Sequence, residues 1–365
     1  MTIQGAQRAG APLFDEDSRA YDALLVLSFG GPEGMDDVLP FLENVTRGRN
    51  IPRQRLAEVA THYAHFGGVS PINAQNHSLI AALERELVRH DVALPIYFGN
   101  RNWHPMLADA IAQMRDDGVR DVLVFVTSAY SSYSGCRQYR EDVARALDSL
   151  DVSAMRFDKI RVFFNHPGFV APMTRRVREA LDSLPVDRRN AAEVIFTAHS
   201  IPLAMARGCA YERQLGEASR LVADLAGAAR YRLAWQSRSG PPHVPWLEPD
   251  ILEALDQARE YGVHDVVVVP IGFISDHLEV LYDLDVEAKE RARELGMAMV
   301  RVPTVGTDPV FVAMIRELIE ERMQQSPTRR FLGQFGPGHD VCPVNCCQPG
   351  ESLVPTRPVL EPATA

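Results

Sequence analysis

Residues 266–302 read VVVVPIGFISDHLEVLYDLDVEAKERARELGMAMVRV. An apolar run at 266–271, a helical pattern at 279–295 and a second apolar run at 298–302 make a strand–helix–strand unit. The runs are continuous rather than alternating, as expected of parallel strands covered on both faces. Working outward, further apolar runs fall at 23–29, 96–99, 122–127, 160–164, 194–198 and 231–235. Helical patterns fill the gaps at 36–46, 74–90, 105–116, 137–149, 170–184, 210–227, 250–261 and 308–324. The fold class is therefore α/β, with two similar doubly wound, Rossmann-like halves of four parallel strands each.

The expected organisation is a flexible arm at 1–20, an N-terminal α/β half at 21–155 and a C-terminal half at 156–306. A helix at 307–326 packs back on the first half, and a cysteine-containing tail occupies 327–365. The seam is expected near 150–160. The chain has 365 residues and a net charge of −10, which argues against a nucleic-acid partner, since tracking phosphates needs clustered Lys and Arg. No run approaches the roughly 18 apolar residues of a membrane span, and the first twenty residues lack a signal peptide's apolar core. The expected location is the cytoplasm, with peripheral contact with a bilayer left open.

Within the opening stretch, Glu279, Asp283 and Glu287 recur every fourth residue. On an α-helix this stacks three carboxylates along one face, at a cost of roughly 0.2–0.5 kcal/mol per like-charged pair. Such a row suits either a solvated face or the inward passage of a proton or a hard dication. Three unusual segments fall at strand carboxyl ends, where open α/β sheets bind ligands: residues 28–33, 197–202 and 270–279. His199 protrudes from one of them, suited to accept protons or bind a metal. Glu279 opens the helix after the next, where the helix dipole favours its anion. The Gly30-Gly31-Pro32-Glu33 turn lacks the spacing of a phosphate loop. Arg101, Trp103 and Tyr130 read as cations and rings of a cleft, and Trp246 as either loop packing or a flat wall for a planar ligand.

Together, LLVLSFGGPEG (24–34), HFGGVSPIN (65–73), YFGNRNWHP (97–105), SAYSSYSGC (128–136), FTAHSIP (196–202), WQSRSGPPHVPWLEPD (235–250) and PIGFISDHLEVLYDLDVE (270–287) resemble the ferrochelatases. These are lyases that insert Fe²⁺ into a porphyrin in haem biosynthesis. The resemblance is collinear from about 21 to 326 and implies the chelatase fold, with two similar halves flanking a porphyrin cleft. Its style is that of actinobacterial members, which turn coproporphyrin III into coproheme. By resemblance, His199 and Glu279 handle pyrrole protons and metal, and Asp283, Asp285 and Glu287 form the acidic ridge. Phe273, Asp276 and His277 support them, and Phe29, Arg101, Tyr130 and Trp246 bind the substrate. Phe29 departs from the pattern: many bacterial members carry Tyr there and animal ones Met, and Phe offers iron no ligand. The alternatives are a protoporphyrin IX ferrochelatase, a chelatase for another metal or tetrapyrrole, and a haem-binding or iron–sulfur sensor without turnover. An FMN- or nucleotide-binding protein is the fold-level alternative. Handover of product to the next enzyme of the haem pathway is a further expectation.

The cysteines are Cys136, Cys209, Cys342, Cys346 and Cys347. A late cluster of three in a reducing compartment points to a metal or iron–sulfur site rather than disulfides. Some ferrochelatases hold a [2Fe–2S] cluster on one mid-chain and three C-terminal cysteines, which implies Cys136, Cys342, Cys346 and Cys347 here. The C-x₃-C-C spacing is unusual for it, so Cys209 is a substitute ligand and zinc the competing ion.

Overall fold

Runs of Val and Leu without polar interruption are stable as strands only when both faces are covered, and the chain folds so as to cover them. The computed structural model describes residues 6–7, 18–48, 51–152, 154–240, 243–343 and 345–350. In the first sheet β1 (Ala23–Ser28), β2 (Ile96–Asn100), β3 (Asp121–Val126) and β4 (Arg156–Lys159) are parallel, in the order β2-β1-β3-β4. In the second, β5 (Glu193–His199), β6 (Tyr231–Gln236), β7 (Asp265–Val269) and β8 (Ala298–Arg301) repeat that arrangement as β6-β5-β7-β8. The expected two four-stranded doubly wound sheets are present. Strand order reverses between β1 and β3 and between β5 and β7, which is where such sheets open a ligand crevice.

Alternate side chains of the central strands enter different cores. Leu24 and Val26 of β1 share one core with Val194, Phe196, Val267 and Val269 of the second sheet, so the two halves are joined by a common interior. Ala23, Leu25 and Leu27 face a second core with Ile111 and Met114, and Val266 and Val268 a third with Leu255 and Leu284. Burying such side chains contributes about 1.5–3 kcal/mol each, which makes separation of the halves costly. The helix Pro309–Met323 packs against Ile72–Arg89 of the first half and Pro167–Ser183 of the second.

Three sequence expectations are corrected, and one helix is found that none foresaw. The fourth strand is Arg156–Lys159, not 160–164, and it pairs with β3, so the first sheet extends a few residues beyond 155, within the expected seam. Its sequence RFDK reads as polar because it is an edge strand. Its buried Asp158 accepts from the Tyr21 hydroxyl at 3.0 Å and lies 3.6 Å from Arg322. Ile160, Val162, Phe163 and Phe164 are buried without being a strand. A helix at Arg53–Ala64 had no expectation, since only Leu56 and Tyr63 along it are buried. The helix expected at 279–295 is an α-turn Leu278–Leu281, a π-helix Tyr282–Ala288 and an α-segment Lys289–Glu294. Finally, the described parts of the arm are tied down: Ala6–Gln7 pairs in parallel with Cys342–Pro343, and Arg19 lies 3.9 Å from Asp158.

Candidate active site

His199 ends β5, at the strand-order reversal. Its Nδ1 lies 2.6 Å from the carbonyl oxygen of Ser200. A carbonyl only accepts, so Nδ1 carries the proton of the neutral ring and Nε2 keeps its lone pair. That Nε2 faces Glu279 Oε2 at 3.7 Å. Two acceptors facing one another across this gap repel unless a proton or cation lies between them, so the pair is built to hold one. Both side chains are partly open, at 33% and 42% exposure.

The loops carrying the pair touch closely. A Cβ on Gly272 would sit 2.5 Å from the Cβ of Ala198, so only glycine lets the 270–277 loop lie against the end of β5. That loop is also tied across the molecule, because the Asp276 amide donates to Gln75 Oε1 at 2.8 Å. Arg301 donates to Asp276 at 3.0 Å and to Asp285 at 2.9 Å. Asp285, expected in the acidic ridge, is therefore turned away to Arg301, and the row is Glu279, Asp283 and Glu287. Phe273 meets His277 edge-on at 5.1 Å, and burial lowers the His277 pKa.

Asp283 sits in the π-helix between its two acidic neighbours. Gln236 Nε2 donates to it at 3.2 Å and the Ser237 hydroxyl donates to the same oxygen. Ser237 adopts φ +60°, a left-handed conformation that a non-glycine residue reaches only at a cost of about 1–3 kcal/mol. Burial pushes the Asp283 pKa up to about 7, and the Glu279 and Glu287 carboxylates add to the rise. Glu287, at the solvent end, is also raised, by partial burial and by Asp250.

The opposite wall comes from the first half. Phe29, 38% exposed at the end of β1, packs edge-on against Phe41 at 6.2 Å. Helix Arg53–Ala64 lays His62 flat on Tyr282 at 4.0 Å. Burial, then the Glu279 and Asp283 charges, raise the Tyr63 pKa. Trp246 is buried, and any Cβ on Gly240 would strike its indole at 2.4 Å. Arg101 and Tyr130, expected on the cleft wall, are packed away from it. Arg101 pairs with Asp142 at 2.7 Å beneath Phe29, and Tyr130 is only 1% exposed.

A second cluster stands apart from the cleft. Cys136 lies in another π-helix, Tyr133–Arg137. Its thiol packs with Cys342 and Cys347 in a buried group edged by Cys346 and Cys209. Cys346 and Cys347 sulfurs are 3.5 Å apart, and His339 Nε2 is 3.9 Å from Cys346. Ligand atoms of His339, Cys342 and Cys346 all lie within 4.8 Å of one another. Hydrogen bonds from Cys136 and from Cys342 lower the thiol pKa values of Cys342 and Cys346, respectively. Burial opposes the charge on Lys159, yet Cys136 and Cys342 hold its pKa up. Cys209 turns its thiol to the Ala206 carbonyl at 3.5 Å. All four expected ligands thus converge; His339 was missed, although it stands three residues before Cys342. Ser237, Gln236, Arg301 and Gln75 were missed too, as single polar residues distant in sequence from what they hold. Among the described residues, no helix is long and apolar enough to cross a membrane.

Comparison with known proteins adds the following. The ferrochelatase family profile matches residues 21–323. A ferrochelatase of Rhodopirellula baltica is 52% identical over 330 residues, 90% of this chain and 93% of the relative. A coproporphyrin III ferrochelatase of Nocardia farcinica is 52% identical over 342 residues, 90% of this chain and 97% of the relative. Another, from Streptomyces coelicolor, is 51% identical over 353 residues, 91% and 94% of the two chains. In fold, the chain is similar to SirB from Bacillus subtilis with Fe³⁺, at TM-score 0.52 and 13% identity, covering 84% of this chain and all of that one.

Proposed function

The chain belongs to the ferrochelatase family, and on that premise we propose that it inserts Fe²⁺ into coproporphyrin III, yielding coproheme, with His199 and Glu279 at the reacting centre. The observation that carries this reading is the free Nε2 of His199, 3.7 Å from Glu279 at the inner end of a carboxylate row. Metallation replaces two pyrrole N–H protons with one dication, so the site needs a base inside and a conduit for cations. Nε2 takes one pyrrole proton and Glu279 the other. Asp283, whose pKa burial pushes up to about 7, can bind and release a proton near neutral pH and so passes protons in either direction, and Glu287 exchanges them with water. Phe29 and the helix carrying His62 press on the substrate from the other side, where binding energy is available to distort the macrocycle toward its metallated shape. Since Phe29 carries no donor atom, iron has no side-chain ligand from that position.

Coproporphyrin is favoured over protoporphyrin by the similarity at 51–52% identity to relatives named for the former. The test is anaerobic mixing of the protein with Fe²⁺ and either porphyrin, followed by absorbance. Faster metallation of coproporphyrin is expected; faster metallation of protoporphyrin overturns the substrate. Porphyrin that binds without being metallated leaves a sensor in place of an enzyme.

The cysteine group fits a [2Fe–2S] cluster held by Cys136, Cys342, Cys346 and Cys347, since four thiols meet in a buried site with Lys159 beside them. When bound, it supplies a cross-link between the tail and the first half and a one-electron redox centre. Cys136→Ser lowers bound iron and acid-labile sulfide together; zinc in place of iron in the purified protein overturns the assignment.

A further inference from the structure

Two buried tyrosines hold the backbone on which His199 and Glu279 are mounted. Tyr211, the first residue of helix Tyr211–Ala226, donates its hydroxyl to the carbonyl of His199 at 3.1 Å. Tyr130 donates to the carbonyl of Ile271 at 2.9 Å, just before Gly272 in the loop that leads to Glu279. The two rings meet edge-on, with centroids 6.2 Å apart. Burial raises both phenol pKa values, so both hydroxyls stay protonated donors.

Each contact has consequences beyond its own hydrogen bond. The carbonyl that Tyr211 holds is one peptide before that of Ser200, the acceptor that fixes the imidazole tautomer. The Tyr211 ring also lies 5.9 Å from Trp235, whose neighbour Gln236 holds Asp283. Next to Tyr130, Ser131 is locked to Gln214 of the Tyr211 helix, its amide donating at 2.7 Å and its hydroxyl accepting at 3.0 Å. Five residues further on is Cys136. The catalytic loops and the segment presenting that cysteine therefore share one set of fixings.

We propose that Tyr130 and Tyr211 are positioning residues for metallation. Through two backbone carbonyls they set the separation and aim of His199 and Glu279, without touching the porphyrin. The inference rests on the reading of His199 as the proton-accepting group. Tyr211→Phe and Tyr130→Phe keep the rings and remove only the hydroxyls. In the full-length protein, with metal content matched to wild type, each is expected to lower kcat about tenfold while KM for the porphyrin stays within about twofold. Ring-nitrogen NMR of His199, without porphyrin, should show a single Nδ1–H tautomer in the wild type and a mixture in Tyr211→Phe. An unchanged kcat, or a loss that only follows the folded fraction and leaves the tautomer intact, overturns the proposal. A wild type that metallates no porphyrin refutes the enzymatic reading, and the tautomer measurement then decides the positioning role alone.

Discussion

His199 takes its aim from its own neighbour, and Asp283 takes its charge from its surroundings. The first is a third exposed, so removing it leaves the interior undisturbed. His199→Ala is expected to lower metallation by about 10²–10⁴-fold, with circular dichroism unchanged, as loss of a positioned base does. Porphyrin absorbance under anaerobic Fe²⁺ checks this. For Asp283 the sign is unusual for a carboxylate. Its folded pKa, about 7, lies above its ordinary value of 3.8, so the native state binds the extra proton between those limits. Stability should therefore fall as pH rises from about 4 to 7 and level off above. Asp283→Asn should remove that decline and leave the protein more resistant to urea at pH 8 than the wild type; urea titrations at pH 5 and pH 8 measure it. His199, Glu279 and Asp283 were legible in the sequence because they stand at strand ends or in a periodic row. Ser237, which holds Asp283, and Gln75, which holds the Asp276 amide, lie 46 and 201 residues from their partners, and no local pattern announces such a pairing.

At the scale of elements, both predicted clusters of chemistry lie on π-helices: Cys136 on Tyr133–Arg137, and Asp283 and Glu287 on Tyr282–Ala288. Residues four apart overshoot one α-turn by about 40°, whereas the wider i→i+5 turn brings them closer to alignment. The four-residue spacing of Glu279, Asp283 and Glu287 is visible in the sequence, but the helix type that carries it left no separate trace there. Removing Val286 should return the segment to α-geometry and leave Glu287 about 60° out of line with Asp283. The expected result is unchanged helicity, a higher Fe²⁺ requirement and slower turnover; metallation at several Fe²⁺ concentrations reads it. The Arg53–Ala64 helix escaped notice for a different reason. It covers the cleft mainly with polar residues, and two buried positions do not make a hydrophobic period.

For the molecule as a whole, the continuous valine and leucine runs gave away the two parallel sheets, since that pattern has few other folded solutions. What they left out was the polar edge strand β4, whose buried Asp158 is satisfied by Tyr21 and Arg322 from far along the chain. A similar long-range pair pins the last helix: Arg161, fully buried, donates twice to Glu321, at 2.7 and 2.8 Å. Glu321→Ala strands that guanidinium and should cost about 3–5 kcal/mol, seen as a lower urea midpoint without a change in slope. The repeated strand order has a consequence for how such a protein changes over generations. At the ends of the first strands of the two sheets, one half offers Phe29 and the other His199. On the proposed reading, one half carries the reactive groups and the other the face that meets the macrocycle. Mutation is thereby free to retailor which tetrapyrrole is accepted, by altering one repeat, while the chemistry encoded in its sibling is inherited unaltered.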